Sequence, residues 1–180
     1  MPNISQGTIY LCAALMVGSF HLHAHGPEHE QHEAHVHGEA QLLLAIEGDD
    51  LEIELHSPAM NIVGFEHRPA NAAQKQAVES AIDTLKQPGL VFNIPTVAKC
   101  ETVSVEVETP LAEDDGHDDE DHTNFTGHYR FRCAAISRLQ GIEVKLLKHF
   151  PGIEVIDVQS ISKRGQQQID LTPEQNMLAL

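Results

Sequence analysis

The composition of the chain favours cations as partners and excludes nucleic acid. Its 180 residues carry 27 acidic and 11 basic side chains, a formal net charge of −16, and 13 histidines. Binding nucleic acid or an anionic membrane surface requires a basic patch, which this sequence lacks. The length is typical of one domain.

The first 24 residues have the composition of a signal peptide. They contain no Asp, Glu, Lys or Arg, and their apolar core from Ile9 to Phe20 is too short to span a bilayer. The alternative, a buried N-terminal helix, lacks polar periodicity. Cleavage after Ala24 leaves 180 − 24 = 156 residues without another apolar run long enough to cross a membrane. We therefore expect export to the periplasm and no stable membrane insertion after signal removal.

The next segment, residues 25–34, is expected to be a flexible histidine-rich tail. It contains His25, His29 and His32 with glutamates between them, and it has no hydrophobic periodicity. We expect the folded domain to run from residue 35 to residue 174.

The domain is predicted to begin with a β-hairpin. Small or apolar residues occupy the even positions from Val36 to Ile46, and a second alternating segment, LEIELHS, follows the turn at residues 48–50. On the first strand His35 and His37 are two residues apart, so we expect them to project to the same side.

The middle of the chain predicts a partly buried loop, SPAMNIVGFEHRP, and one main helix. The apolar stripe of that helix extends from about Ala72 to Lys86, and Gln87-Pro88-Gly89 ends it. Residues 90–92 and 100–109 are expected to be extended. Residues 111–124 hold seven acidic residues together with His117 and His122, which predicts a solvated loop.

The strand after this loop, NFTGHYRFRCA, alternates aromatic residues with His128, Arg130 and Arg132. Beyond a short turn or helix near residues 136–139, the apolar segments 142–150, 153–161 and 169–171 supply two or three further strands. The predicted fold class is α+β, with a mostly antiparallel β-sheet and one main helix.

Two cysteines, Cys100 and Cys133, remain after the predicted cleavage. An isolated pair in an oxidising compartment indicates a disulfide, which would hold together the two strands that flank the acidic loop. The alternative is a pair of thiolate metal ligands.

The histidines and their neighbouring carboxylates predict zinc binding. We expect an ordered site from His35, His37, Glu66 and His67, joined by His128 if its strand neighbours the first strand. The histidines of the tail and of the acidic loop would gather cations more loosely. Taken as an isolated pair, His35 and His37 are better explained as two solvated histidines on an exposed edge. Their continuity with the tail and the Glu66-His67 pair in the nearby loop favour metal binding instead.

Catalysis is not expected. The sequence contains no HExxH, no GxSxG and no glycine-rich phosphate loop. Glu66 beside a metal on His67 could activate water, but one Glu-His pair does not establish a hydrolase.

Several segments together resemble the family of the zinc-regulated periplasmic protein ZrgA. They are AHVHGEAQLLLAIEGDDLEIELHSPAMNIVGFEHRP, the cysteine pair, FPGIEVIDVQ, and the late Gly165-Gln166 turn with IDLTPE. The resemblance covers residues 34–174. It implies zinc binding in the periplasm in support of zinc acquisition, with a histidine-rich loop of variable length. By motif it carries over to His35, His37, Ser57, Pro58, Glu66 and His67, and by position only to His117 and His122.

The predicted function is periplasmic zinc binding for zinc acquisition or homeostasis, with Zn²⁺ as the ligand. One alternative is a broader buffer for copper, nickel and zinc, because imidazole-rich tails discriminate poorly between these metals. The other is an adaptor that docks onto an inner-membrane metal uptake system, which is also a candidate partner of the zinc-binding protein.

Overall fold

The computed structural model describes residues 36–112 and 123–180. The predicted signal peptide, the tail and most of the acidic loop lie outside the described residues. The same is true of His25, His29, His32, His35, His117 and His122.

The predicted hairpin is present, formed by β1 (Glu39–Glu47) and β2 (Asp50–Pro58). Its two-residue turn starts at Gly48, whose φ of 61° lies in the left-handed region that glycine adopts without steric cost. Alternation buries one face, namely Ala40, Leu42 and Leu44 on β1 and Leu51, Ile53 and Leu55 on β2. The first strand begins later than predicted, because Val36 is exposed and His37 lies in a turn before β1. The prediction that His37 projects from a strand was therefore wrong.

The hairpin lies in the middle of a six-stranded sheet with the order β4-β5-β2-β1-β7-β8. The other four strands are β4 (Cys100–Glu108), β5 (Asn124–Cys133), β7 (Val155–Ser162) and β8 (Gly165–Leu171). Every neighbouring pair is antiparallel except β1 and β7, which are parallel. The mostly antiparallel sheet is thus confirmed.

The disulfide between Cys100 and Cys133 is also confirmed. The two residues lie directly opposite each other at the ends of β4 and β5, and their sulfur atoms are bonded. The bond lies at the start of β4 and the end of β5, which is the end of this strand pair away from the acidic loop, because the loop runs from Glu108 to Asn124.

Helices cover part of the chain that we expected to be loop or strand. The segment after β2 forms a short helix, α1 (Ala59–Val63), and the main helix α2 (Ala72–Leu85) follows as predicted. Asn71 caps α2 by accepting a hydrogen bond from the Gln74 backbone N–H. Residues 88–91 form a third helix, α3 (Pro88–Val91), where we expected an extended segment to begin at residue 90. Proline at the first helical position favours this turn.

A second sheet has the order β3-β6-β9. Its strands are β3 (Phe92–Asn93), β6 (Gly141–Val144) and β9 (Met177–Ala179). The apolar segment after β6 turns into a helix, α4 (Leu146–His149), instead of continuing as a strand. The last strand lies beyond residue 174, where the sequence analysis ended the domain. The Phe92 ring meets the Tyr129 ring edge-on at 5.0 Å, so this sheet packs against β5.

The two faces of the large sheet differ in what covers them. Buried side chains from α2, from the second sheet and from one face of the large sheet belong to a single hydrophobic core. The other face, called the outward face here, bears a groove of about 780 Å³ lined by both apolar and polar side chains, the polar ones including Glu54, Glu106, His128, Gln159 and Gln168. Among the helices of the described residues, none is long and apolar enough to span a membrane.

Candidate metal centre

The turn that carries His37 is held through the main chain of Gly38. The Gly38 N–H donates to the Asn61 side-chain oxygen at 2.8 Å, and its carbonyl accepts from the backbone N–H groups of Glu154 and Val155 at 2.7 and 3.0 Å. Gly38 has a φ of +89°, which other residues rarely adopt. The glycine of the HVHG motif therefore fixes where the chain, and with it His37, enters the sheet.

Asn61 is the buried polar residue that joins this turn to the helix after β2. It is 4 % exposed, and besides accepting from Gly38 its amide donates to the Glu39 carbonyl oxygen at 2.8 Å. The same amide lies 3.5 Å from the hydroxyl of Ser57, which is also buried. Sequence reasoning missed Asn61. The available signal was an amide among the apolar residues of a segment expected to be partly buried, because such a group needs hydrogen-bond partners.

The segment that carries Glu66 and His67 leaves α1 through Gly64, a left-handed residue with φ 82°. Phe65 is buried and anchors the segment, while Glu66 and His67 face solvent. From the far side of the acidic loop, the Thr123 hydroxyl donates to the Glu66 carbonyl oxygen at 2.7 Å. The end of the acidic loop is thereby attached beside Glu66.

The ring of His67 is held in place by its own neighbours. Its ring stacks on Phe65 with the centroids 5.2 Å apart, and its Nδ1 lies 2.9 Å from the Arg68 carbonyl oxygen. A carbonyl oxygen only accepts, so Nδ1 carries the hydrogen and the lone pair of the neutral ring is on Nε2. This is the arrangement in which metal-binding histidines are commonly held.

His37 and Glu66 form the contact at the centre of the site. The Nε2 atom of His37 lies 3.2 Å from each carboxylate oxygen of Glu66, although the two residues are 29 positions apart. Two ligand atoms bound tetrahedrally to one zinc ion, each at about 2.0–2.1 Å, are about 3.3 Å apart. The observed separation is close to that spacing.

His128 lies elsewhere on the sheet. Its strand, β5, pairs with β2 and β4 and does not neighbour β1, so the condition for adding it to the predicted site is not met. Across the sheet, His128 is opposite Glu54 on β2, and Glu54 is opposite Leu43 on β1. Leu43 lies four positions beyond the start of β1. At about 3.3 Å per residue, this is about 13 Å along the sheet and two strands away.

The described side chains do not form a complete metal site. Within residues 36–112 and 123–180, no three His, Cys, Asp or Glu side chains already stand as a group that could hold a metal ion. His37 and Glu66 make the one predicted contact that the structure brings together. The ring of His56, on β2, contacts Glu54, as described below.

A comparison with curated proteins found no match. A family model described as "ZrgA family zinc uptake protein" matches residues 34–180, which is most of the chain and includes every element described above. The description supports a zinc-related role, and zinc uptake is not itself an enzymatic activity. The chain belongs to the ZrgA family of zinc uptake proteins.

Proposed function

We propose that the protein binds zinc in the periplasm and supports zinc acquisition, without catalysing a reaction. The family description supports the link to zinc. The disulfide between Cys100 and Cys133 supports an oxidising compartment, because cytosolic thiols are kept reduced. Export through the N-terminal signal peptide is part of this proposal.

The proposed zinc centre is built on His37, Glu66 and His67. The observation that carries it is the hydrogen-bond contact of the His37 ring with the Glu66 carboxylate at 3.2 Å, which brings an imidazole and a carboxylate together from two segments 29 positions apart. Nδ1 of His67 faces a carbonyl oxygen, so its Nε2 lone pair can turn toward the same ion. Imidazole and carboxylate are ligands that zinc accepts.

Chain connectivity supports adding His35 and His122 to this centre. His35 is two residues from His37, and His122 directly precedes Thr123, whose hydroxyl bonds to Glu66. This adjacency in the sequence is the ground for including them. We propose that they complete the ligand set.

The remaining histidines of the tail and the acidic loop would collect zinc before it reaches the centre. They are His25, His29, His32 and His117. The acidic loop adds negative charge around its two histidines, and a formal net charge of −16 raises the local concentration of cations.

The test is a zinc titration, in competition with a fluorescent chelator, of protein purified from the periplasm. Replacing His37 by Ala and Glu66 by Gln should weaken the tightest zinc site by at least about tenfold, as lost metal-site groups commonly do. His149→Ala is the matched control, because His149 is an exposed histidine on α4. Binding at neutral pH should also weaken in mildly acidic buffer, since imidazole must be deprotonated to bind.

Unchanged affinity in the double variant would contradict the proposed centre. Full zinc-dependent growth of cells carrying that variant, despite its lost affinity, would instead support the adaptor alternative. Copper or nickel displacing zinc at equal concentration would support the broader buffer.

A further inference from the structure

Acidic side chains on β2 lie opposite basic side chains on β5 along the outward face. Three consecutive pairs occur at alternate positions, and the first two are ion pairs in which an arginine Nε lies 2.7 and 2.9 Å from a carboxylate oxygen. In the third pair a histidine takes the place of arginine, and its Nδ1 is 4.0 Å from the carboxylate. The pairs are Asp50 with Arg132, Glu52 with Arg130, and Glu54 with His128.

The third pair has a further imidazole beside it. The Nε2 atom of His56 lies 2.6 Å from Oε1 of Glu54, while His128 approaches Oε2 of the same carboxylate. On the other side of His128, β4 places Glu106 directly opposite it. Glu54 therefore lies between two histidines, within a surface patch where Glu106 adds a second negative charge.

These separations bracket the spacing of zinc ligands. Two tetrahedral zinc ligands are about 3.3 Å apart. His56 approaches Oε1 of Glu54 and His128 approaches Oε2, so small rotations of the three side chains would bring both rings and one carboxylate oxygen around one ion. The three side chains are between 37 % and 47 % exposed, so they can change rotamer on the nanosecond scale.

The backbone register keeps the three residues close enough for this. Glu54 and His128 are directly opposite each other, and His56 is two positions from Glu54 on the same side of β2. Cβ atoms of directly opposite residues are about 5 Å apart, and diagonal neighbours are about 7–8 Å apart. Imidazole side chains can reach one shared ion across such distances.

We propose that Glu54, His56 and His128 form a second zinc site on the outward face, with a fourth position open to water. It goes beyond the proposed function because it shares no residue with the His37 centre and lies about 13 Å along the sheet from the start of β1. The site forms on binding, since no three described side chains already stand in a ligating arrangement. An open fourth position allows zinc to be passed on, because an incoming ligand can displace the water.

The competing interpretation is that Glu54 and His128 are simply a third ion pair. One observation favours metal binding. Glu54 also contacts His56, which an ion-pair series between β2 and β5 does not require, so two imidazoles and a carboxylate lie together.

The test uses the full protein with His37→Ala and Glu66→Gln, so that the first centre is removed. Ring-nitrogen NMR signals of His56 and His128, assigned with His→Gln variants, are followed while zinc chloride is added. We expect both rings to shift together at the same zinc concentration. Glu54→Gln should weaken this response by about tenfold or more.

Glu52→Gln is the matched control, because Glu52 lies on the same strand and face but pairs with Arg130. It should change the midpoint of the response less than twofold. The inference is overturned if only one ring responds, if the two rings respond at different zinc concentrations, or if both glutamate variants weaken binding equally. If zinc binds at the His37 centre of the wild-type protein but not at Glu54, His56 and His128, the second site is refuted and the proposed function stands. If zinc binds at the second site but not at the His37 centre, only the proposed His37 centre is refuted.

Discussion

Asn61 provides the sharpest test of how the fold holds His37. Replacing it by alanine removes the acceptor for the Gly38 N–H and the donor to the Glu39 carbonyl oxygen, both hydrogen bonds of 2.8 Å. At 4 % exposure, water cannot take the place of the amide without a rearrangement.

The expected loss follows from the groups left unpaired. A buried polar group without a partner costs about 1–3 kcal/mol, and the Gly38 N–H is in a buried environment while the Glu39 carbonyl is partly buried. We therefore expect Asn61→Ala to lower the free energy of unfolding by about 3 kcal/mol. For a domain of this size that corresponds to a fall in Tm of about 6–12 °C.

Urea unfolding followed by circular dichroism measures this loss, and the zinc titration measures its effect on the site. Because Gly38 adjoins His37, zinc affinity at the His37 centre should fall about tenfold under conditions where the variant is still folded. Asn93→Ala is the matched control, since the Asn93 amide makes an exposed hydrogen bond to Glu143. It should change stability by less than about 0.5 kcal/mol.

A loss below about 0.5 kcal/mol in Asn61→Ala would refute the stability argument. A large loss of stability with unchanged zinc affinity in the folded variant would show that the turn at Gly38 does not need Asn61 to place His37.

Three further predictions concern the core and its covalent link. Replacing both disulfide cysteines by serine should cost about 3–4 kcal/mol in urea unfolding, from the loop entropy of a 33-residue separation, and an unchanged midpoint would contradict it. Gly152→Ala should lower the free energy of unfolding by about 1–3 kcal/mol, because the added Cβ would lie 2.5 Å from the Asn61 carbonyl oxygen. Gly89→Ala is the control: its added Cβ would meet nothing within 4 Å, so the free energy of unfolding should be unchanged or slightly higher. Burial raises the pKa of the Tyr129 phenol above its usual range, so its neutral form is favoured in the folded state. The free energy of unfolding is therefore unaffected by this group below about pH 10 and falls as the pH rises further. In protein cleaved after Ala24, which removes Tyr10, absorbance at 295 nm should show phenolate only together with unfolding, and early ionisation in the folded protein would refute this.

The outward face bears a regular series of acidic and basic side chains on β2 and β5. The acidic side chains of β2 and the basic side chains of β5 meet because the strands are antiparallel neighbours in a fixed register. In the third pair the native residue is a histidine, whereas the other two pairs have an arginine. A histidine can bind a metal ion, which a permanently charged arginine cannot do.

Periodicity alone determined the elements whose residues are close in sequence. The alternation in β1, β2 and β5 predicted both strands of the hairpin and the buried face of β5, because each side chain's direction follows from its position in the strand. The stripe of α2 was predicted for the same reason. The cysteine pair predicted a disulfide, since few other roles suit two isolated cysteines in an exported protein.

Only the tertiary structure decided which of these elements are neighbours. The sequence does not contain the order β4-β5-β2-β1-β7-β8, which sets His128 beside Glu54 instead of His37. Nor does it reveal that Asn61 bonds to Gly38 across 23 residues, or that His37 meets Glu66. Patterns along a chain report on local geometry, whereas strand order and site assembly depend on pairing and burial between distant segments, and these arise only when the whole core packs.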